Sequence, residues 1–311
     1  MHPSPPTLPA GAVLSPEVAD ALSAGRPVVA LESTLLAHGL PRPDNRAAAD
    51  EVEAAVRAGG AVPATIAVLD GVPHVGLTAD EVDRVCADPD LAKLGVRDLP
   101  VAAALGLSGA TTVSSTALLA AAAGIGVFAT GGLGGVHRHA VDTFDESADL
   151  TALARTSLVV VCAGVKSILD VPATLERLES LSVTVIGYRT TTFPGFYVAE
   201  SGSTLDWSVA DAGEAARVFA ARRALALGAV VVANPLPLDE QLDPGLHDRV
   251  IAGALAAAEE AGVRGKDVTP FVLDHLHRAS EGATLAANVR LVLRNAELAG
   301  QIAGALSGLP R

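Results

Sequence analysis

Residues 157–166 read SLVVVCAGVK. A Val-rich apolar run stops at Ala-Gly, and a lysine follows. That is the signature of a strand buried on both faces whose carboxyl end delivers an amine. Similar short runs recur at 28–32, 63–70, 73–77, 126–130, 183–188 and 229–233, mostly bounded by Gly or Pro. Amphipathic stretches at 44–58, 79–87, 112–123, 149–154, 172–180, 211–227, 246–261, 270–277 and 282–305 read as helices. Asp44 and Asp211 are the expected N-caps, and Gly124 and Gly228 the expected C-terminal stops. Strands alternating with helices predict an α/β fold, a three-layer α/β/α arrangement around a mixed, mostly parallel central sheet. The mixed character comes from ATIAVLDGVPHVGL (64–77), two strands around Asp70-Gly71, which is a hairpin signal. The Pro-rich residues 1–12 read as a loose tail without a targeting pattern. No repeat or linker divides the rest, so residues 13–311 are expected to form a single catalytic domain.

Composition narrows the function. The 311 residues carry a net charge of −13, which argues against a nucleic-acid-coating role and against an anionic membrane surface. Aromatic residues are only 3%, too few for a base-stacking platform, so the core must be built from Ala, Val, Leu and Ile. Two cysteines, Cys86 and Cys162, make no disulfide framework, and a reducing, cytoplasmic location is expected. The uncharged stretch 117–136 approaches the length of a membrane span, but its glycines read instead as a buried helix, a strand and a loop. The basic residues comprise 19 Arg and three Lys: Lys93, Lys166 and Lys266. With Arg serving as the general cation, each lysine raises the question of what only an amine can do.

Ligands of such sheets sit at the carboxyl ends of the strands. Those positions hold Glu32-Ser33-Thr34, Thr130-Gly131-Gly132, Ala163-Gly164-Val165-Lys166 and Asn234-Pro235. Lys166 is either a nucleophile able to form a Schiff base with a carbonyl carbon or a lysine snorkelling to solvent. Glu32 ends an apolar strand, which suits a general acid or a satisfied structural carboxylate. Lys93 lies in a loop-like segment, LAKLGVRDLP, as a phosphate contact or a surface cation. The loop ATGGLGGVHRHA offers glycine N–H groups to an anion, with Arg138 and two histidines adding positive potential. It lacks a Walker ending, and the forced match of Gly124, Gly126 and Ala129 to a dinucleotide motif falls in the wrong structural order. In DTFDESADL, Leu150 stands where a calcium loop needs glycine, leaving either a helix start or one carboxylate holding a hydrated divalent cation.

Long segments carry a resemblance: ALESTLLAHGLPRPDN (30–45), PATIAVLDG (63–71), GATTVSSTALLAAAAGI (109–125), VFATGGLGGVHRHAVDTFDESADL (127–150), VVVCAGVKSILDVPATLERLE (159–179), VIGYRTTTFPGFY (185–197) and NVRLVLRNAELAGQIA (288–303). Over residues 14 to 306 the chain resembles the pseudouridine-5′-phosphate glycosidase family, also called the indigoidine synthase A family. The resemblance implies an α/β/α homotrimer that reversibly cleaves the C–C glycosidic bond of pseudouridine 5′-phosphate to uracil and ribose 5-phosphate. It implies Lys166 as the Schiff-base lysine, Glu32 as the proton donor and Asp145 as the ligand of one Mn²⁺ per subunit. Substrate contacts are implied for Lys93, Val113, Ser147, Ala148, Asp149 and Asn288, with Thr130 and His137 beside them. Val165, Ser167, Glu146 and His139 depart from the family's usual residues, none at a position with a chemical role. Two rivals fit the same residues: a class I aldolase-like lyase acting on a sugar phosphate through Lys166, and a non-catalytic phosphate or nucleotide binder.

Overall fold

The computed structural model of the chain describes residues 7–138, 140–263 and 268–309. Positions 1–6 of the expected tail, His139 and Lys266 lie outside them. Eleven strands are present among the described residues: β1 (Val13–Leu14), β2 (Val28–Glu32), β3 (Val62–Leu69), β4 (Val72–Val75), β5 (Ala92–Leu94), β6 (Gly109–Thr111), β7 (Val127–Ala129), β8 (Val159–Cys162), β9 (Thr184–Tyr188), β10 (Ser208–Val209) and β11 (Val230–Ala233). The helices are α1 (Pro16–Ser23), α2 (Asp44–Ala58), α3 (Ala79–Ala87), α4 (Leu99–Leu105), α5 (Val113–Ala122), α6 (Ala140–Thr143), α7 (Ala148–Arg155), α8 (Val171–Ser180), α9 (Ala212–Ala224), α10 (Pro244–Glu260), α11 (Val268–Ala279) and α12 (Ala283–Ser307).

All strands join one sheet in the order β1-β4-β3-β2-β7-β8-β11-β9-β10, with β6 attached to β3 and β5 to β6. From β3 through β10 every neighbouring pair is parallel. The period-2 alternation of side chains divides these strands between two apolar layers. Val159, Val161, Val230 and Val232 pack with α2, α9, α10, α11 and α12. Val160, Cys162 and Val231 pack with α1, α5, α7 and α8. The three-layer expectation therefore holds, and the Val-rich runs are continuous because both faces are buried. The expected hairpin is the antiparallel pair β3–β4, turned by Asp70 (φ 51°) and Gly71 (φ 82°). No helix among the described residues is long and apolar enough to cross a membrane.

Several local expectations change. The loop-like segment around Lys93 contains β5, parallel to β6, while β6 hangs antiparallel on β3 at Ala67 and Val68. β2 pairs with β3 only as far as Ile66, so β6 takes over the edge that β2 leaves. Strands of three residues are too short to register as a pattern. The short helices α1 and α4 were likewise not expected from periodicity. Asp44 is the first residue of α2 and Pro43 its N-cap, whereas Asp211 caps α9 as expected by accepting from Glu214 N–H at 2.8 Å. Past α9 the left-handed residue is Ala226 (φ 55°). Gly228 instead lies against the carbonyl of Ala154 with no room for a side chain.

The long helix α12 crosses α2 where Gly300 meets Gly59. A Cβ on Gly300 would lie 2.7 Å from the Val56 carbonyl oxygen and 2.8 Å from Gly59 Cα. Alanine raises helix propensity by about 1 kcal/mol over glycine, but overpacking against rigid backbone costs about 1–3 kcal/mol. Gly300→Ala is expected to lower the thermal unfolding midpoint, and an unchanged or higher midpoint would contradict this crossing geometry.

Candidate active site

The carboxyl ends of β2, β7 and β8 set the site. Beyond their strands, the chains leaving β7 and β8 keep exchanging backbone bonds. Thr130 N–H donates to Val161 O (3.0 Å), Ala163 N–H to Gly131 O (2.9 Å), Leu133 N–H to Gly164 O (2.9 Å) and Lys166 N–H to Leu133 O (3.1 Å). Leu133 and Val165 form a parallel bridge. Gly164 makes the necessary turn with φ 86°, and a Cβ there would sit 2.5 Å from the Pro194 carbonyl oxygen. Lys166 is thereby fixed, half-buried, over the end of the sheet.

Glu32 is the last residue of β2 and is buried. The Thr130 hydroxyl donates to its Oε1. Burial pushes the Glu32 carboxyl above the usual carboxylate range, against the opposing pull of the Lys166 charge and the Thr130 hydrogen bond. The strand end is stitched down on both sides. Ser33 Oγ donates to Ile66 O (2.7 Å) and Thr34 Oγ1 to Thr111 O (2.8 Å). From α12, Asn295 Nδ2 donates to Thr130 O (2.8 Å), and Asn234 Nδ2 donates to Asn295 Oδ1 (3.0 Å).

A cavity of about 410 Å³ opens over these ends. Its lining includes Glu32, Lys93, Val113 and Lys166. His137, Asp145, Ser147, Ala148 and Asp149 line it too. Nine of the eleven expected site residues thus meet in one space. Thr130 is set apart: its hydroxyl serves Glu32 and does not reach this cavity. Asn288 lies in an adjoining recess of about 40 Å³, which shares Glu32, Thr34, Lys93 and Lys166 with the main cavity. Thr34, one of the strand-end positions, also lines the main cavity, as do Gly95, Arg97, Asp98, Thr112 and Ser114, which were not singled out from sequence. Most of them flank β5 and β6, the strands that sequence pattern misses.

Asp149 is buried, and both its oxygens face backbone donors: Oδ1 accepts from Ser114 N–H and Oδ2 from Gly134 N–H, each at 2.9 Å. This corrects the expectation for the glycine loop. Gly134 N–H does meet an anion, but it is the protein's own. A Cβ on Gly134 would lie 2.7 Å from Asp149 Oδ2, and one on Gly132 would lie 2.6 Å from the Phe196 ring. The glycines make room for neighbouring side chains. Arg138 Nε donates to Ile168 O at 3.3 Å. Ser147 caps α7, its Oγ accepting from Asp149 N–H at 3.2 Å.

Asp145 is held by His137, whose backbone N–H donates to Asp145 O at 3.0 Å. Its Oδ2 lies 3.9 Å from His137 Nδ1. Burial lowers the His137 imidazole below its usual range, opposed by the Asp145 charge. Glu146 is already paired with Arg177 at 2.8 and 2.9 Å. No group of three or more His, Cys, Asp or Glu side chains converges among the described residues. Asp145 is a single carboxylate lining the cavity, so a hard divalent cation bound there would keep most of its water.

The family model for "Indigoidine synthase A like protein" matches residues 17–305. A "Pseudouridine-5′-phosphate glycosidase" of Frankia alni is 61% identical over 292 residues, covering 94% of this chain and 81% of that protein. Its namesake in Salinispora tropica is 62% identical over 289 residues, covering 92% and 89%. Among solved structures, the prealnumycin C-glycosynthase AlnA in complex with ribulose 5-phosphate superposes with a TM-score of 0.88 at 39% identity, covering 96% of this chain and 98% of that one. An indigoidine synthase A-like protein from Thermotoga maritima gives 0.86 at 34% identity, covering 95% and 97%. With a family match over nearly its whole length and relatives this close, the chain belongs to the indigoidine synthase A-like family.

Proposed function

We propose that this chain is a pseudouridine-5′-phosphate glycosidase, an enzyme that reversibly cleaves a C–C glycosidic bond to give uracil and ribose 5-phosphate. The carrying observation is Lys166 beside the buried Glu32 in one cavity, in a chain whose relatives at 61% and 62% identity bear that name. A phosphorylated sugar also occupies the structural neighbour AlnA, by its description.

The chemistry follows from the residues. Carbon C5 of uracil is a poor leaving group, so carboxylates alone around an oxocarbenium ion would not suffice. Lys166 attacks ribose C1′ as a neutral amine. The C1′–O4′ bond breaks, and Glu32, kept protonated by burial, gives its proton to O4′. The attached nitrogen then gives up a proton, its lone pair forms a C1′=N iminium, and the C1′–C5 electron pair departs with uracil, whose C5 takes up that proton. Water adds to the iminium and returns the lysine and ribose 5-phosphate. Lys93 and Ser147 supply charge and hydrogen bonds suited to the 5′-phosphate, and Val113 and Ala148 shape the wall. Asp149 orders the backbone around them. Asp145 would hold a divalent cation, Mn²⁺ in the family's usual form, which would supply positive charge for the substrate's phosphate or hydroxyl oxygens. A cytoplasmic homotrimer completes this reading, acting on small molecules and not on nucleic acid or membrane. The aldolase-like rival also uses Lys166 but has no need of a nucleobase.

Borohydride added with ribose 5-phosphate should fix one sugar on Lys166. Lys166→Ala should stay folded, trap nothing and lose turnover, and an adduct on another lysine would refute the assignment. Glu32→Gln should lose cleavage while still binding substrate. The same variant tests the buried acid through stability. A carboxyl raised by burial carries its full stability contribution below the ordinary carboxylate value and loses it as pH rises toward its elevated folded value. The unfolding midpoint of Glu32→Gln relative to wild type should therefore climb from pH 4 to pH 8, whereas a difference constant with pH would contradict the burial argument. Chelation of divalent metal should abolish turnover, with Asp145→Asn raising the Mn²⁺ concentration needed to restore it. Full activity in chelator would remove the metal.

A further inference from the structure

Lys93 reaches the cavity from a strand with little of its own to hold it. β5 has three residues, and its one neighbour among the described strands is β6, which hangs on β3 by two residue pairs. After Lys93 the chain is pinned at once. Leu94 O accepts from Thr112 N–H (3.0 Å) and from Ser115 Oγ (2.6 Å). Before Lys93 the pins come from the stretch that follows Glu32. His38 sits in the π-helical turn Leu35–Gly39 just past the β2 end, and π-helical turns are frequent at functional sites. Its Nε2 lies 2.9 Å from Leu91 O, and a carbonyl only accepts, so Nε2 carries the proton. Farther along, Arg42 Nε donates to Cys86 O (2.7 Å), Arg42 Nη2 to Asp88 O (2.6 Å) and Asn45 Nδ2 to Cys86 O (3.0 Å). Side chains from residues 38–45 thus hold the carbonyls of residues 86–91, and His38 holds the one nearest Lys93. Burial lowers the His38 imidazole below its usual range, and the Lys93 and Arg42 charges push the same way, so the ring stays neutral. Its Nδ1 is buried without a hydrogen-bond partner among the described residues, which leaves Leu91 O as the contact that orients the ring.

We propose that His38 is a positioning residue for phosphate recognition: through Leu91 O it fixes the start of β5 and holds Lys93 over the cavity. This rests on the phosphate contact assigned to Lys93 above. A lysine on a loosely held strand must be ordered at each binding event, and that ordering subtracts from affinity. A strand pinned at Leu91 and Leu94 presents the amine already in place. The stretch that begins with the acid, Glu32, therefore also sets where the phosphate is met, so the spacing between the two ends of the substrate is built into the fold. The effect belongs to binding and not to the bond-breaking step, which Lys166 and Glu32 carry out.

The test is a double-mutant cycle on cleavage of pseudouridine 5′-phosphate. His38→Phe keeps a ring and removes the donor, whereas His38→Gln places an amide N–H where Nε2 stands. His38→Phe should raise KM about tenfold with kcat within about threefold of wild type, and His38→Gln should recover most of the loss. The preference for the phosphorylated substrate over pseudouridine should fall about tenfold in His38→Phe. In a Lys93→Ala background, His38→Phe should add less than about twofold to KM, because the contact it orders is already gone. Additive effects of the two substitutions would overturn the proposal. So would an equal loss on both substrates, which would put His38 to work on the sugar, the base or folding, and so would a His38→Gln variant no better than His38→Phe. If wild type cleaves the substrate but Lys93→Ala leaves KM unchanged, the phosphate role of Lys93 is wrong and that of His38 falls with it. If wild type releases no uracil at all, the reaction itself is the failed assignment.

Discussion

The site is assembled around one buried carboxylate whose two oxygens are both held by backbone donors. Asp149 accepts one backbone N–H from the start of α5 and another from the glycine loop after β7, and its own N–H is held by the Ser147 cap of α7. The start of α5, the glycine loop and the start of α7 are thereby pinned around the same point. The walls carrying Val113, Ser147 and His137 all descend from this clamp. Removing both oxygens, as in Asp149→Ala, would leave two buried donors facing no acceptor, a penalty of about 1–3 kcal/mol each.

Against that frame, Glu32 and Lys166 occupy the one kind of place where a sheet covered on both faces can bring polar chemistry to solvent. The surroundings of Glu32 push its carboxyl upward. Burial raises the Glu32 carboxyl above its usual range, and the nearby lysine only partly offsets it. A carboxyl whose proton is held more tightly by burial is suited to act as an acid, and an amine beside it can attack. Thr130 and Asn295 contribute by holding Glu32 and its neighbouring strand end in place.

Much of this was readable in the sequence. The run SLVVVCAGVK encodes a doubly buried strand followed by an amine, and the alternation of such runs with helices encodes the layered sheet. The hairpin at Asp70-Gly71 announced the antiparallel part. Other features could not be read. β5 and β6 have only three residues each, and their strand character comes from pairing, β6 with β3 and β5 with β6. The glycines at 132 and 134 were expected to admit an anionic ligand, but they admit Phe196 and Asp149, partners that only folding brings near. His38 stood in plain view within ALESTLLAHG, yet nothing in the sequence marks its ring as tethered at one nitrogen and unpaired at the other.

The central claim is that the Lys166–Glu32 pair breaks a carbon–carbon bond between a ribosyl phosphate and uracil. It is tested most directly by incubating the purified protein with pseudouridine 5′-phosphate and a divalent metal and quantifying both products. The account predicts uracil and ribose 5-phosphate in equal amounts, with the phosphate-free nucleoside turned over far more slowly. Recovery of intact pseudouridine 5′-phosphate, or release of a sugar fragment without uracil, would contradict it.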